Sequence, residues 1–197
     1  MSYYRVFRGI FRMFFSALYR WQVIGAEHIP KEGPVILCAN HISLLDPPLL
    51  GSGIERQVHF MAKEELFRIP VISFLIKKFG AFPVKRGASD RTAIRTALKI
   101  LEEGKIFGIF PEGTRSKTGE LGPGLPGVGM FALKSEAVVI PVAIIGPYKL
   151  FRPVKIVYGE PIDLSTQRFG KAGSDALKET TDLIMLHIKK LLDQHRS

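Results

Sequence analysis

The sequence predicts an α/β sandwich: a single domain whose central, mostly parallel sheet is flanked by helices. Three observations carry this. Short apolar runs of strand length alternate with longer segments of helical periodicity. Several of these runs, such as Val35-Ile36-Leu37-Cys38-Ala39, are apolar throughout, as strands covered on both faces are. His41, Lys63, Arg86 and residues 112–115 each stand just after such a run, where ligands gather in sheets of this type. With 197 residues the chain is long enough to bury a full core, and no repeat, low-complexity stretch or linker divides it.

Residues 1–21 carry four arginines, no acidic residue and eight of the chain's twenty aromatics. On a helical wheel Tyr3, Phe7, Ile10, Phe11, Phe14, Leu18 and Trp21 share one face, and Arg5, Arg8, Arg12 and Arg20 the other. The arginines recur too often for a transmembrane span, and no small-residue cleavage site marks a signal peptide. The pattern fits an amphipathic helix lying in a membrane interface, followed by a catalytic domain over 22–197. The other reading of 1–21 is an ordinary helix packed on the core.

Beyond it, 23–34 reads as a loop closed by Lys31-Glu32-Gly33-Pro34, leading into the first strand at Val35. Asp46-Pro47-Pro48 signals a helix start, since aspartate caps free N–H groups and proline fits the first turn. Strands follow at 58–62 and 81–84, with an apolar helix over 70–79 between them, ended by two lysines and Gly80. Ser89-Asp90 opens a helix with Ile94, Ala97, Leu98 and Leu101 on one face, and Gly104 closes it. Lys105 to Phe110 is a strand running into Pro111-Glu112-Gly113-Thr114-Arg115-Ser116. Two more strands at 138–145 and 155–158 precede a helix over 176–195 with Leu177, Ile184, Ile188 and Leu191 inward.

The 28 lysines and arginines against 18 acidic residues, a net charge of +10, favour an anionic partner. Nucleic acid is not that partner, because the basic residues form no aromatic-interleaved groove; an anionic membrane surface or a phosphorylated substrate is. The single cysteine, Cys38, excludes an internal disulfide and sits within an apolar strand as a buried hydrophobe. No Cys/His spacing suits a metal. Gly122-Pro123-Gly124-Leu125-Pro126-Gly127 spells a dinucleotide pattern, yet it follows no strand, and its prolines lack the N–H groups a pyrophosphate needs. It reads as a loop feeding a helix around residues 130–135. His28, His187 and His195 read as solvated, and His59 as structural.

The chemistry concentrates in Asn40-His41-Ile42-Ser43-Leu44-Leu45-Asp46-Pro47-Pro48. A tight strand-to-helix turn brings His41 and Asp46 together, leaving one imidazole nitrogen for a substrate proton. A helix-capping aspartate beside a surface histidine has the same spacing. The 110–116 segment offers a glycine for close backbone approach, two hydroxyls, and an arginine suited to bidentate phosphate binding. It also reads as a solvated turn, and Arg86 as a surface charge.

Together these segments resemble the four blocks of the glycerolipid acyltransferases. Asn40-His41-x4-Asp46-Pro47 is similar to their His-x4-Asp signature, and Phe110-Pro111-Glu112-Gly113-Thr114-Arg115-Ser116 to the third block. Lys63-Glu64-Glu65-Leu66, Pro70 and Gly80-Ala81-Phe82-Pro83-Val84-Lys85-Arg86 resemble the second, and Ile140-Pro141-Val142-Ala143 the fourth. The order and spacing, across about residues 22–162, are those of short bacterial members that acylate lysophosphatidic acid. The resemblance implies direct transfer of a fatty acyl group from acyl-CoA or acyl-carrier protein to lysophosphatidic acid, giving phosphatidic acid, with no other cofactor. By the same resemblance His41 is the base and Asp46 its partner, and Glu112, Gly113, Thr114 and Arg115 hold the glycerol-phosphate with Arg86 assisting. The resemblance also places Lys63 near the thioester. It further implies a peripheral or monotopic enzyme on the cytoplasmic face of the cell membrane. Other acceptors in the family are other lysolipids and glycerol-3-phosphate; outside it, the sequence fits a non-catalytic membrane-binding module.

Overall fold

The computed structural model describes residues 3–85, 90–169 and 173–196. Among them, one sheet is built from β1 (Gln22–Ile24), β2 (Val35–Ala39), β3 (Val58–Lys63), β4 (Ala81–Val84), β5 (Ile106–Ile109), β6 (Val138–Ile145) and β7 (Lys155–Tyr158). Its spatial order is β1-β7-β6-β2-β5-β3-β4. The strands from β6 to β4 run parallel, while β7 pairs antiparallel with β6 and carries β1 with it. The mostly parallel sheet is as expected, with an antiparallel edge that the sequence did not signal. Residues 23–34 are not wholly loop. The exposed side of β7 offers a free ladder, and Gln22-Val23-Ile24 takes it up as a three-residue strand.

Helices α1 (Tyr3–Leu18), α2 (Asp46–Ser52), α3 (Pro70–Lys78), α4 (Arg91–Glu102), α5 (Gly127–Leu133), α6 (Ser165–Phe169) and α7 (Ser174–His195) surround the sheet. Every residue of β2 is buried. Val35, Leu37 and Ala39 join the core beneath α1 and α2 with Phe15, Leu49 and Leu50. Ile36 and Cys38 join the opposite core with Ala97, Phe131 and Ile188 from α4, α5 and α7. This alternation explains the unbroken apolar run, and each fully buried side chain of this size contributes about 1.5–3 kcal/mol. Burial pushes the Cys38 thiol far up, so it offers no thiolate. On α7 the buried residues are Thr180, Thr181, Ile184, Ile188 and Leu192; Leu177 and Leu191, expected inward, are only half-buried.

α1 corrects the simple two-faced wheel and ends at Leu18, short of residue 21. Tyr4 and Phe15 are buried, and Phe11 packs on the same core. Arg8 and Arg12 also turn inward, their Nη1 atoms donating to the carbonyls of Ile54 (2.9 Å) and Ser52 (3.2 Å). The Tyr4 hydroxyl donates to Gly51 O at 2.9 Å. The physical reason lies at the end of α2, where the Gly51 and Ser52 carbonyls lack intrahelical partners and carry the negative end of its dipole, and Ile54 O follows just past the helix. The outward apolar stripe is therefore Tyr3, Val6, Ile10 and Met13. Beside it, α3 exposes Val71, Phe74 and Leu75, and Lys78 Nζ lies 4.5 Å over the Tyr3 ring and 5.7 Å over that of Phe74. No helix among the described residues is long and apolar enough to cross a membrane.

Candidate active site

The parallel strands deliver their carboxyl ends to one edge of the sheet. β2 ends at Ala39, and the next residue fixes the turn that follows. Asn40 is buried and clamps Ile144 of β6 at two points, Nδ2 donating to its carbonyl (2.9 Å) and Oδ1 accepting from its N–H (2.7 Å). The chain then bends through residues 41–45 into α2, and Asp46 comes back beneath His41.

Asp46 is wholly buried and surrounded by donors. Its Oδ2 accepts from the N–H groups of Ile42 and Ser43 and from His41 Nδ1, each at 2.7 Å. Its Oδ1 accepts from the Tyr148 hydroxyl at 2.7 Å. The carboxylate thus does not cap α2's own N–H groups, as the sequence suggested; it caps the turn before the helix. Burial without loss of charge requires such pairing. The contact assigns the proton of a neutral imidazole to Nδ1 and leaves the Nε2 lone pair available.

His41 is also held as a plane. Its ring stacks on Phe110 with centroids 4.1 Å apart and planes 19° apart, and Phe110 in turn lies over Phe60 at 6.3 Å. Gly108 makes this stack possible, since a Cβ there would run into the Phe60 ring.

The segment after β5 is fastened to the same histidine. Glu112 Oε1 accepts from the His41 N–H (2.8 Å) and Oε2 from the Gly122 N–H (2.9 Å). The Ser116 N–H donates to His41 O at 2.8 Å. Gly113 turns the chain with φ +66, a left-handed conformation suited to glycine, and its N–H donates to Phe110 O. Glu112 is buried, and each of its oxygens accepts from the protein's own backbone. Thr114 and Arg115 project from this anchored turn and are exposed, and Arg115 makes no ion pair among the described residues.

Lys63 ends β3 at the same sheet edge and is exposed there. Arg86 lies outside the described residues. The Gly122–Gly127 loop feeds α5 as expected and closes the second arm of Glu112. His28 is not simply solvated, for its Nδ1 lies 2.9 Å from Tyr158 O and its Nε2 3.0 Å from Glu160. Tyr148 escaped the sequence reading. It stands 102 positions from Asp46, and only its place shortly after the fourth apolar block hinted at the site. Burial and the Asp46 carboxylate push its hydroxyl well above the ordinary tyrosine range, so it stays a donor.

A mostly parallel α/β sandwich carrying a His–Asp pair at its carboxyl edge, with a charged turn fastened to the histidine, defines the class of protein. A family model described as Acyltransferase matches residues 20–145, and the chain belongs to that family. It is 37% identical over 147 residues to the 1-acyl-sn-glycerol-3-phosphate acyltransferase of Bacillus subtilis (strain 168), covering 72% of this chain and 73% of that protein. The protein of the same name from Borreliella burgdorferi is 34% identical over 131 residues, covering 66% of this chain and 52% of its own length. The crystal structure of the 1-acyl-sn-glycerophosphate acyltransferase PlsC from Thermotoga maritima superposes with a TM-score of 0.77 at 26% identity, covering 98% of this chain and 80% of that one.

Removing the Tyr148 hydroxyl tests its part in this arrangement. Tyr148→Phe deletes one hydrogen bond to a charged partner, worth about 1.5–3 kcal/mol. The expected result is a lower melting temperature and a kcat reduced by about tenfold with KM for both substrates unchanged. A wild-type kcat in the variant would show that three donors suffice to hold Asp46.

Proposed function

We propose that this chain transfers a fatty acyl group from an acyl thioester to the sn-2 hydroxyl of lysophosphatidic acid, giving phosphatidic acid for phospholipid synthesis. The observation that carries the reading is the free Nε2 of His41, opposite the nitrogen locked by Asp46 and beside the turn that presents Arg115. Nε2 takes the proton of the acceptor hydroxyl as its oxygen attacks the thioester carbonyl. Asp46 stabilises the imidazolium formed and keeps the ring's tautomer. The tetrahedral intermediate then collapses, the C–S bond breaks, and the departing thiolate recovers the proton from Nε2. No acyl-enzyme is needed, and the thioester is already activated, so the transfer requires no cofactor beyond the donor, coenzyme A or acyl-carrier protein.

Arg115 and Thr114 receive the acceptor's phosphate, with the Gly113 backbone approaching closely and Arg86 assisting; Glu112 serves by positioning His41. Lys63 stands at the edge where the carbonyl oxygen develops charge, a role for a cation. Both substrates carry long apolar chains, so the enzyme works as a peripheral protein on the cytoplasmic face of the membrane. The outward stripe of α1 and the exposed apolar residues of α3 supply the contact.

Arg115→Ala tests the phosphate assignment. The KM for lysophosphatidic acid is expected to rise by about tenfold or more, from loss of a charge-assisted pair, while the donor's KM stays fixed. An unchanged acceptor KM would remove Arg115 from the phosphate site. The same assay run over lysophosphatidic acid, other lysolipids and glycerol-3-phosphate identifies the acceptor.

A further inference from the structure

The segment between β6 and β7, residues 146–154, is not used by the chemistry above except through Tyr148. Its tip reads Lys149-Leu150-Phe151-Arg152: two large apolar side chains, 60% and 68% exposed, bracketed by two exposed cations. Single exposed apolar residues are ordinary. Three further observations set this pair apart.

The first is the backbone. Phe151 has φ +60 and is the one non-glycine residue with positive φ recorded among the described residues. A bulky aromatic side chain is costly there, and the fold gains no buried contact in return, since the side chain projects outward. The second is the fastening. Phe151 N–H donates to Leu18 O (2.8 Å) and Arg152 O accepts from Arg20 N–H (3.3 Å), so the tip is bound to the end of α1. Tyr148, at the base of the same loop, packs on Tyr19 with ring centroids 5.8 Å apart. The third is charge. Lys149 and Arg152 stand exposed on either side of the pair, beside a cleft of about 460 Å³ whose other cations are engaged, Lys155 donating to His195 O and Arg196 pairing with Glu120 at 3.2 Å.

We propose that Lys149–Arg152 is a second membrane-docking element, in which Leu150 and Phe151 enter the bilayer while the flanking Lys149 and Arg152 engage anionic phospholipid headgroups. Apolar side chains flanked by Lys and Arg match the layered chemistry of an anionic bilayer surface: hydrocarbon below, phosphate above. The element extends the surface assigned to α1 and α3. Lys78 of α3 touches Tyr3 at one end of α1, and the loop is tied to the other end, about 24 Å away for a helix of this length. The two contacts fix the protein's tilt on the membrane, which one helix lying flat does not. Phe151 lies three positions after Tyr148, and Tyr148 holds Asp46, so the loop sets the active site beside the lipid surface. The inference rests on the reading of the enzyme as one that works at a bilayer.

The test uses the full chain and vesicles of phosphatidylcholine with phosphatidylglycerol. In Leu150→Ser/Phe151→Asn both apolar groups are removed, and asparagine tolerates the left-handed backbone at 151, so the fold is retained. By sedimentation, this variant is expected to need about tenfold more lipid for half-binding, a loss like that of Ile10→Ser/Met13→Ser on α1. Turnover of a short-chain lysophosphatidic acid dispersed in water is expected to be unchanged. In a Trp21→Phe background, which removes the chain's one tryptophan, Phe151→Trp supplies a single indole at the loop tip. Its emission should shift to the blue on vesicles and be quenched by brominated lipid. Unaltered half-binding in the double variant, or indole emission at the loop tip that brominated lipid leaves unquenched, overturns the proposal. Vesicle binding needs no turnover. A chain that binds through the loop but fails to acylate any lysolipid overturns the catalytic reading alone.

Discussion

His41→Ala is expected to lower kcat by about 10²–10⁴-fold, the range of a positioned general base, with the fold kept and both KM values little changed. The fold should survive because Asp46 keeps three of its four donors, from Ile42, Ser43 and Tyr148, when the imidazole is gone. The backbone bonds of residue 41 to Glu112 and Ser116 also remain. Asp46→Asn is a harsher change. Its amide keeps one acceptor oxygen and puts an NH2 group where the other oxygen now accepts, and the charge that would balance an imidazolium is lost, so both melting temperature and kcat should fall. The measurement is steady-state acyl transfer to lysophosphatidic acid on mixed vesicles, with a thermal melt of each variant. Near-wild-type turnover in His41→Ala would end the base assignment.

The second large effect is expected at Glu112. Glu112→Gln keeps the shape of the side chain but has one acceptor oxygen where two are in use, so either the His41 or the Gly122 N–H faces an amide donor. An unsatisfied buried donor costs about 1–3 kcal/mol, and here the cost falls on the backbone that carries the base. A kcat lowered by about tenfold to a hundredfold is expected, with a reduced melting temperature and an acceptor KM that does not move. This pattern separates positioning from substrate binding. If KM for lysophosphatidic acid rises while kcat and the melting temperature hold, Glu112 faces the substrate after all.

The parts of the fold governed by local chemistry were legible from the residues. The Val138–Ile145 and Lys155–Tyr158 strands have the expected bounds, because each apolar run is closed by charged residues, glycine or proline. Asp90 caps α4 through the N–H groups of Thr92 and Ala93, a contact that needs only three neighbouring residues. What was not legible is non-local. Gln22-Val23-Ile24 has no strand signal of its own and becomes β1 only because β7 leaves an edge open. The inward turn of Arg8 and Arg12 depends on carbonyls 40 or more positions away at the end of α2, and a helical wheel cannot see them. In the site, His41 and Asp46 were found because a short turn joins them. The grip of Tyr148 on Asp46 is not legible because it needs the register of distant strands, and the closing of Glu112 by Gly122 because it depends on the path of an irregular ten-residue loop.

The turn carrying Thr114 and Arg115 is joined to His41 and Phe110 through main-chain atoms, with Glu112 the one side chain in the fastening. Amide N–H and carbonyl groups are common to nearly every amino acid, so the two exposed side chains are free of any duty in holding the turn. Residues 114 and 115 can therefore be exchanged without disturbing the main-chain hydrogen bonds that fasten the turn to His41. The joint thus separates what holds the turn from what the turn presents to solvent.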